Sequence, residues 1–326
     1  MTTFSCIIWA LGLMLTPNLN NSPETPIETK IKLLLVDFLQ CDPTSVILSQ
    51  LKDGVVNCYN NTDYKIVIGD KKYFAKYGNP NGKILGTSLQ NEILCRTIAA
   101  NHGISPSVLL SDPEKTIMIT EFLEIQEEVD FKKPLTRKRY IDLLHRLHQS
   151  EALFPIKFCP FQIIEHYMDH AVKTGVNLPS ILLEEILPAI DTFKKEELLL
   201  EIVPCHLDAQ AGNVLDNGTD MYLIDWECAA MTDPLFDLAS MCSTEELSDE
   251  EMLEFLTLYL QRPPSTEDFK RFYQMRILAD VRFCTYCYLQ TKISSTRKDL
   301  YRHFAEGFLH RTTERLKNLP NIGQTL

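Results

Sequence analysis

The chain has 326 residues, of which 45% are hydrophobic and 23% are charged. This length and composition are typical of a globular enzyme with one large or two modest domains. The formal net charge of −12 at pH 7 argues against a nucleic-acid-binding protein, whose binding face would be basic, and it suits a cationic substrate. The ten cysteines are scattered and mostly lie in apolar runs, which indicates reduced thiols in a cytoplasmic protein.

Residues 1–30 differ in composition from the rest of the chain. The run from Cys6 to Thr16 is apolar but too short to span a bilayer, and the polar, proline-containing segment after it is predicted to be disordered. No Lys or Arg precedes the apolar run and no small-residue cleavage site follows it, as a signal peptide would require. We therefore favour an N-terminal extension or a misassigned start codon over a signal-like segment, and all three remain open.

Regular structure is predicted from Ile31 onward. The segment Ile31–Leu39 is predicted to be a helix, and Thr44–Leu51 a short helix or turn that leads into the first strand. Apolar and polar residues then alternate over Tyr64–Ile68 and Lys72–Tyr77 on either side of a Gly-Asp pair, which predicts a β-hairpin.

One helix and two further strands follow the hairpin. A capping box at Thr87 predicts a helix that continues to Asn101 and ends at Gly103. The segments Val108–Leu110 and Thr116–Thr120 are predicted to be strands, so the first third of the chain is mostly β.

The later part of the chain is predicted to be mostly helical. Leu135–His148 has the periodicity of an amphipathic helix, and Leu253–Leu260 and Met275–Leu289 continue the helical pattern. Three basic residues near the end of the first of these helices are expected to face solvent: His145, Arg146 and His148. Strands followed by helices predict an α+β fold.

A group of polar residues lies around a short buried strand, and their types suit phosphoryl transfer. Asp208 could orient an acceptor hydroxyl and take its proton, and Asn213 and Asp225 offer the oxygen ligands that Mg²⁺ prefers. His206 is better suited to brace the loop by hydrogen bonds, and Glu227 to ligate metal or hold the loop. Taken singly these are also ordinary turn residues, but two linked motifs favour a site.

The pattern H-x-D-x-x-x-x-N, followed by Asp225-Trp226-Glu227, resembles the aminoglycoside phosphotransferase and choline kinase superfamily. With the segment Asp233–Ala239, it is most similar to bacterial choline kinases. The resemblance implies a protein-kinase-like fold with a small β-rich lobe over residues 31–123 and a larger helical lobe over residues 124–326. It also implies ATP and Mg²⁺ as cofactors.

The resemblance implies nucleotide-binding roles in the first lobe. Gly54 and Asn57 lie where the superfamily has its nucleotide-covering loop, although Asp53 stands where a glycine is common. Lys76 occupies the place of the phosphate-binding lysine, and Glu92 that of the glutamate that pairs with it.

The same resemblance assigns roles around the second lobe. The backbone at Glu121 and Leu123, in the hinge between the lobes, would bind the adenine. Asp237 would stabilise the catalytic loop by hydrogen bonds. Phe283 and Tyr286 fall where choline kinases have two tryptophans around the quaternary ammonium, and a π face attracts a cation. The aromatic stripe would equally suit a helix core.

The position of Trp226 suits either a wall of that pocket or packing beneath the loop. The implied reaction is ATP-dependent phosphorylation of a small-molecule hydroxyl, with choline first and ethanolamine, thiamine or an aminoglycoside as alternatives. A pseudokinase-type binding scaffold is the alternative of another class. A protein kinase is disfavoured because D-F-G and A-P-E motifs are absent from the sequence.

Overall fold

A computed structural model places a small sheet-containing lobe before a larger helical lobe, as the sequence predicts. It describes residues 25–51, 61–78, 81–112, 114, 116–196, 198–295 and 297–319. Within these ranges, none of the helices combines the length and apolar character needed to cross a membrane.

Helix α1 (Pro26–Leu39) opens the described chain five residues before the predicted start at Ile31. Its start is defined by a capping box, since Thr25 Oγ1 accepts a hydrogen bond from Glu28 N at 3.2 Å and Glu28 Oε2 accepts one from Thr25 N at 2.7 Å. The prediction of disorder through residue 30 is therefore wrong for residues 26–30. Residues 1–24 lie outside the described ranges.

The small lobe is built on a five-stranded antiparallel sheet in the order β1-β2-β3-β5-β4. Its strands are β1 (Val46–Gln50), β2 (Thr62–Ile68), β3 (Lys71–Tyr77), β4 (Val108–Asp112) and β5 (Ile117–Glu121). The predicted hairpin is confirmed as β2 and β3. The predicted helix or turn at residues 44–51 is instead a single 3₁₀ turn (Pro43–Ser45) followed by β1.

Two helices connect β3 to β4. They are the short α2 (Gly82–Leu85) and the longer α3 (Leu89–Asn101). The N-cap of α3 is Ser88, one residue after the predicted Thr87, because Ser88 Oγ accepts the N–H of Asn91.

The large lobe consists mainly of seven helices in the described chain. They are α4 (Pro134–His148), α5 (Pro160–Lys173), α6 (Leu187–Phe193), α7 (Pro234–Thr244), α8 (Asp249–Leu260), α9 (Thr266–Ile293) and α10 (Lys298–Asn318). A π-helical turn (Leu182–Ile186) precedes α6. α9 is central to the lobe, since it packs against α5, α7 and α10.

The end of α4 matches the prediction of a solvent-exposed face only in part, since Arg146 is exposed, His145 is half-buried and His148 is buried. His145 Nε2 lies 2.9 Å from Tyr259 O, and Arg146 donates to the carbonyls of Gly103 and Met221. His148 is buried and contacts Asp237 on α7. All three side chains therefore make contacts with other segments, but only His148 is withdrawn from solvent.

Two short two-stranded sheets carry the site residues between α6 and α7. One pairs β6 (Val203–Cys205) with β9 (Ala230–Thr232), and the other pairs β7 (Val214–Asp216) with β8 (Met221–Leu223). The loops after β6 and β8 lie side by side, because His206 Nε2 is 2.8 Å from Ile224 O and the Ile224 N–H donates to Asn213 O at 3.0 Å.

Candidate active site

Asp237, near the start of α7, holds the loop after β6. Its buried carboxylate accepts the N–H of His206 at 2.8 Å and the N–H of Leu207, and it lies 3.1 Å from His148 Nε2. Burial raises the pKa of Asp237, but the hydrogen bonds from His148 and from the His206 N–H outweigh burial, so the pKa lies below its ordinary value of 3.8. Asp237 is therefore a carboxylate that orients the loop.

His206 has no exposed surface and does not reach the cavity. Its Nε2 lies 2.8 Å from Ile224 O, and burial lowers its pKa, so the neutral ring donates this hydrogen bond. His206 therefore has the loop-bracing position expected from the sequence and no contact with the cavity: it ties the loop after β6 to the end of β8.

Asp208 is presented at the cavity by this loop. Asn213 Nδ2 donates to its carboxylate Oδ2 and to its backbone oxygen, both at 2.8 Å. Burial and the neighbouring Asp225 carboxylate raise the pKa of Asp208 to about 8, while the Arg282 guanidinium opposes this increase. Asp208 therefore has a raised proton affinity and a fixed orientation, as a general base requires.

Lys76 on β3 forms a buried ion pair with two carboxylates. Its Nζ lies 2.6 Å from Glu92 Oε1 on α3 and 2.5 Å from Asp225 Oδ1. Burial lowers the pKa of Lys76, but the charges of Asp225 and Glu92 outweigh it and raise the pKa well above its ordinary value. The structure thus brings together the predicted pair from β3 and α3 and joins it to the end of β8.

Glu227 lies beside this ion pair. Glu92, Asp225 and Glu227 each present an oxygen within 4.8 Å of the others, a spacing that suits a shared cation. Burial and, after it, the charge of Asp225 raise the pKa of Glu227 to about 7. Asn61 Nδ2 donates to Glu227 at 3.0 Å across the two lobes.

Asn213 completes a set of oxygen donors suited to Mg²⁺. Within the part of the chain that the structure describes, Asn213 Oδ1 is buried and accepts no hydrogen bond. The backbone oxygen of Asn213 accepts the N–H of Ile224 at 3.0 Å, one residue before Asp225. An unsatisfied amide oxygen in this loop fits a hard divalent cation. Asn213, Asp225 and Glu227 are therefore the residues that would hold the metal.

A cavity opens beside Asp208, Asp225 and Glu227, and aromatic rings form part of its wall. Phe283 and Tyr286 on α9 lie in this wall, as predicted from their positions. The full aromatic set is Tyr167, Phe283, Tyr286, Tyr301, Phe304 and Phe308. The negative groups and the aromatic rings therefore belong to one concave site.

Trp226 lies beneath the cavity rather than in its wall. It is fully buried, its Nε1 donates to Ser105 Oγ and Leu223 O at 3.1 Å each, and its ring packs against His206 at 4.6 Å. The assignment of Trp226 to substrate binding is therefore wrong, because a ring with no exposed surface cannot contact an acceptor. Packing beneath the loop was the other alternative and matches these contacts.

Only some of the residues assigned to nucleotide binding lie within the described chain. Gly54 and Asn57 lie outside the described residues. Glu121 is the last residue of β5, with its carbonyl accepting from Thr120 Oγ1, and Leu123 follows in an irregular segment. Adenine binding by the hinge backbone stays a prediction.

Sequence reasoning missed part of the cavity. Tyr301, Phe304 and Phe308 of α10 share one helical face at spacings of three and four residues, a pattern that could have identified them as a group. Arg282 was missed although it immediately precedes Phe283. Its guanidinium lies 5.1 Å from the Phe283 ring and also lines the cavity.

The fold has a sheet-containing lobe and a helical lobe. Together with the lysine, the two aspartates and the asparagine of the site, this arrangement defines a protein-kinase-like phosphotransferase. A family model described as "Phosphotransferase enzyme family" matches residues 57–272, about two thirds of the chain. The chain belongs to this family.

The comparisons include choline kinases and their relatives. Protein LicA from Haemophilus influenzae is 24% identical over 225 residues, covering 67% of this chain and 84% of LicA. The solved choline kinase LicA from Streptococcus pneumoniae has a TM-score of 0.72 at 23% identity, over 90% of this chain and 100% of that one. A choline/ethanolamine kinase family protein from Mesorhizobium loti has a TM-score of 0.73 at 21% identity, over 91% of this chain and 99% of that one. At these identities the solved structures establish the fold.

Proposed function

We propose that the protein transfers the γ-phosphoryl group of ATP to the hydroxyl of a small cationic alcohol, with choline as the substrate. The observation that carries this proposal is the single cavity in which Asp208, Asp225 and Glu227 meet a wall of aromatic rings. The carboxylates suit the reacting hydroxyl and a metal, and the rings suit a cation.

The chain's own groups divide the reaction between them. Asp208 orients the acceptor hydroxyl and takes its proton, while the hydrogen bonds from Asn213 hold the carboxylate in place. Lys76, held by Glu92, steadies the nucleotide phosphates. Asn213, Asp225 and Glu227 would hold Mg²⁺, which when bound neutralises the negative charge on the phosphates.

The aromatic wall favours a quaternary ammonium over a primary one. Tyr167 and Tyr301 each lie edge-on to Tyr286, at 5.7 and 6.3 Å. Phe283 and Phe308 already face the guanidinium groups of Arg282 and Arg311, so the tyrosines are the rings that suit a substrate cation. Such rings attract a methylated cation without hydrogen bonds, whereas a primary ammonium has three donors to satisfy. Choline therefore fits better than ethanolamine.

The open cavity and its aromatic side chains would also suit cationic alcohols other than choline. Thiamine is cationic and aromatic, so it is the principal competitor. The acceptor assay must therefore include both compounds.

The test is ADP production with Mg-ATP and each of choline, ethanolamine, thiamine and kanamycin. We expect turnover with choline and its loss when EDTA removes the metal. Turnover with another acceptor alone would replace choline. If no ADP is produced with any of the four acceptors and the protein does not bind Mg-ATP, a binding scaffold is favoured.

The mechanism is tested by Asp208→Ala, with Asp220→Asn on the exposed β7–β8 turn as the control. We expect Asp208→Ala to abolish turnover while Mg-ATP binding is retained, because the carboxylate acts on the acceptor. Asp220→Asn should behave as the wild type. Turnover that survives in Asp208→Ala would contradict the assignment of the base.

A further inference from the structure

Leu207, the residue before Asp208, has an unusual backbone conformation. Leu207 has φ 65°, in the left-handed region that residues other than glycine rarely adopt. Such a conformation persists only where the surroundings hold it, and it is often found at functional sites. The contacts on Leu207 therefore determine how Asp208 is presented.

Two charged side chains hold Leu207 from opposite sides. The N–H of Leu207 donates to Asp237 Oδ1, as described above. The Leu207 carbonyl, which belongs to the peptide bond shared with Asp208, accepts a hydrogen bond from Arg282 Nη1 at 2.8 Å. Arg282 thus reaches from α9 to the residue that precedes the base.

Arg282 is itself firmly located. It is 5% exposed, and its Cζ lies 5.4 Å from the ring centroid of Phe158 and 5.1 Å from that of Phe283. The side chains of Tyr167 and Cys228 lie beside the guanidinium. A planar guanidinium held by aromatic rings has little freedom to move away from the Leu207 carbonyl.

We propose that Arg282 is a positioning residue for phosphoryl transfer, which fixes the Leu207 carbonyl and thereby the orientation of the Asp208 carboxylate. This inference rests on the proposed function, because Asp208 is the base of that reaction. Arg282 also lines the cavity, but it takes no proton and the role proposed for it is exerted through the loop.

The variants are Arg282→Lys and Arg282→Gln, with Arg276→Lys as the matched control. Arg276 is also a buried arginine of α9 that donates to a backbone carbonyl, that of Leu247, but it lies outside the cavity wall. A lysine at position 282 keeps the charge but loses the planar group that the aromatic rings hold.

We expect kcat of both Arg282 variants to fall by roughly 10²-fold, the cost of misplacing a catalytic group by about 1 Å. The KM for ATP should be unchanged. Arg276→Lys should lower the melting temperature but leave kcat unchanged. In Arg282→Ala, added guanidinium ion should restore part of kcat, because the ion can occupy the vacated space.

Hydrogen exchange measures the loop independently of any acceptor. Amides of the segment 205–210 should exchange faster in Arg282→Gln than in the wild type, and Arg276→Lys should leave them unchanged. The exchange measurement needs no acceptor, so it tests the role of Arg282 even if none of the four acceptors is phosphorylated. Failure of the proposed function can therefore be distinguished from failure of the positioning role. Wild-type exchange in Arg282→Gln, or wild-type kcat in Arg282→Lys, would overturn the proposal.

Discussion

The sharpest stability prediction concerns Asp237→Asn. The carboxylate accepts two backbone N–H groups, from His206 and Leu207, and contacts His148, all without access to solvent. An asparagine keeps one acceptor oxygen and turns an NH₂ group toward a donor. Hydrogen bonds to a charged group contribute about 1.5–3 kcal/mol each, and breaking a buried charged network costs about 3–5 kcal/mol. We therefore expect the free energy of unfolding to fall by about 3–5 kcal/mol.

The pH dependence of stability gives a second readout of the same residue. Because folding lowers the pKa of Asp237 below 3.8, its contribution is complete above the unfolded pKa and is lost as the pH falls through the folded pKa. The wild type should therefore lose stability below about pH 4. The Asp237→Asn variant should lack the part of this acid-dependent loss of stability that comes from Asp237.

Urea unfolding followed by Trp226 fluorescence would measure both effects, because this ring is buried against His206. Asp70→Asn, on the exposed hairpin turn, is the control and should change stability by less than about 0.5 kcal/mol. A loss below about 1 kcal/mol for Asp237→Asn would refute the argument that charged hydrogen bonds hold the loop.

Three further substitutions follow from the site. Lys76→Met should raise the KM for ATP, and it should cost roughly 3–5 kcal/mol of stability because Glu92 and Asp225 lose their buried cation; thermal melts and kinetics would measure both. Tyr286→Ala should raise the KM for choline by roughly 5- to 30-fold with KM for ATP unchanged, since a cation–π contact contributes about 1–2 kcal/mol. Trp226→Phe should cost about 1–3 kcal/mol of stability and leave the KM for the acceptor unchanged, because only buried hydrogen bonds are lost. An increase in acceptor KM for Trp226→Phe would contradict its placement beneath the cavity.

Helices and strands were predicted correctly where a short segment of sequence carries the whole pattern. The β2–β3 hairpin follows from alternation around a Gly-Asp turn, and α4 from a helical period, so both could be predicted from short segments. Errors arose at boundaries that depend on side-chain caps. The α1 start required the reciprocal bonds of Thr25 and Glu28, and the α3 cap fell at Ser88.

Predictions of exposure failed where distant segments meet. His148 has the helical position of a surface residue, but α7 brings Asp237 to it. Trp226 stands between two acidic residues in the sequence, yet the 3₁₀ turn after Asp225 directs it into the core. Neither environment can be read from neighbours in the chain.

The sequence by itself determined the chemistry of the site, because the residue types at positions 208, 213, 225 and 76 and their order along the chain limit the reactions that they can support. Only the tertiary structure decided which side chains surround them. Arg282 and Leu207 are 75 residues apart, and their contact exists only because α9 packs beneath the loop after β6. Cavity walls, buried ion pairs and loop geometry depend on such long-range packing, which local periodicity does not encode.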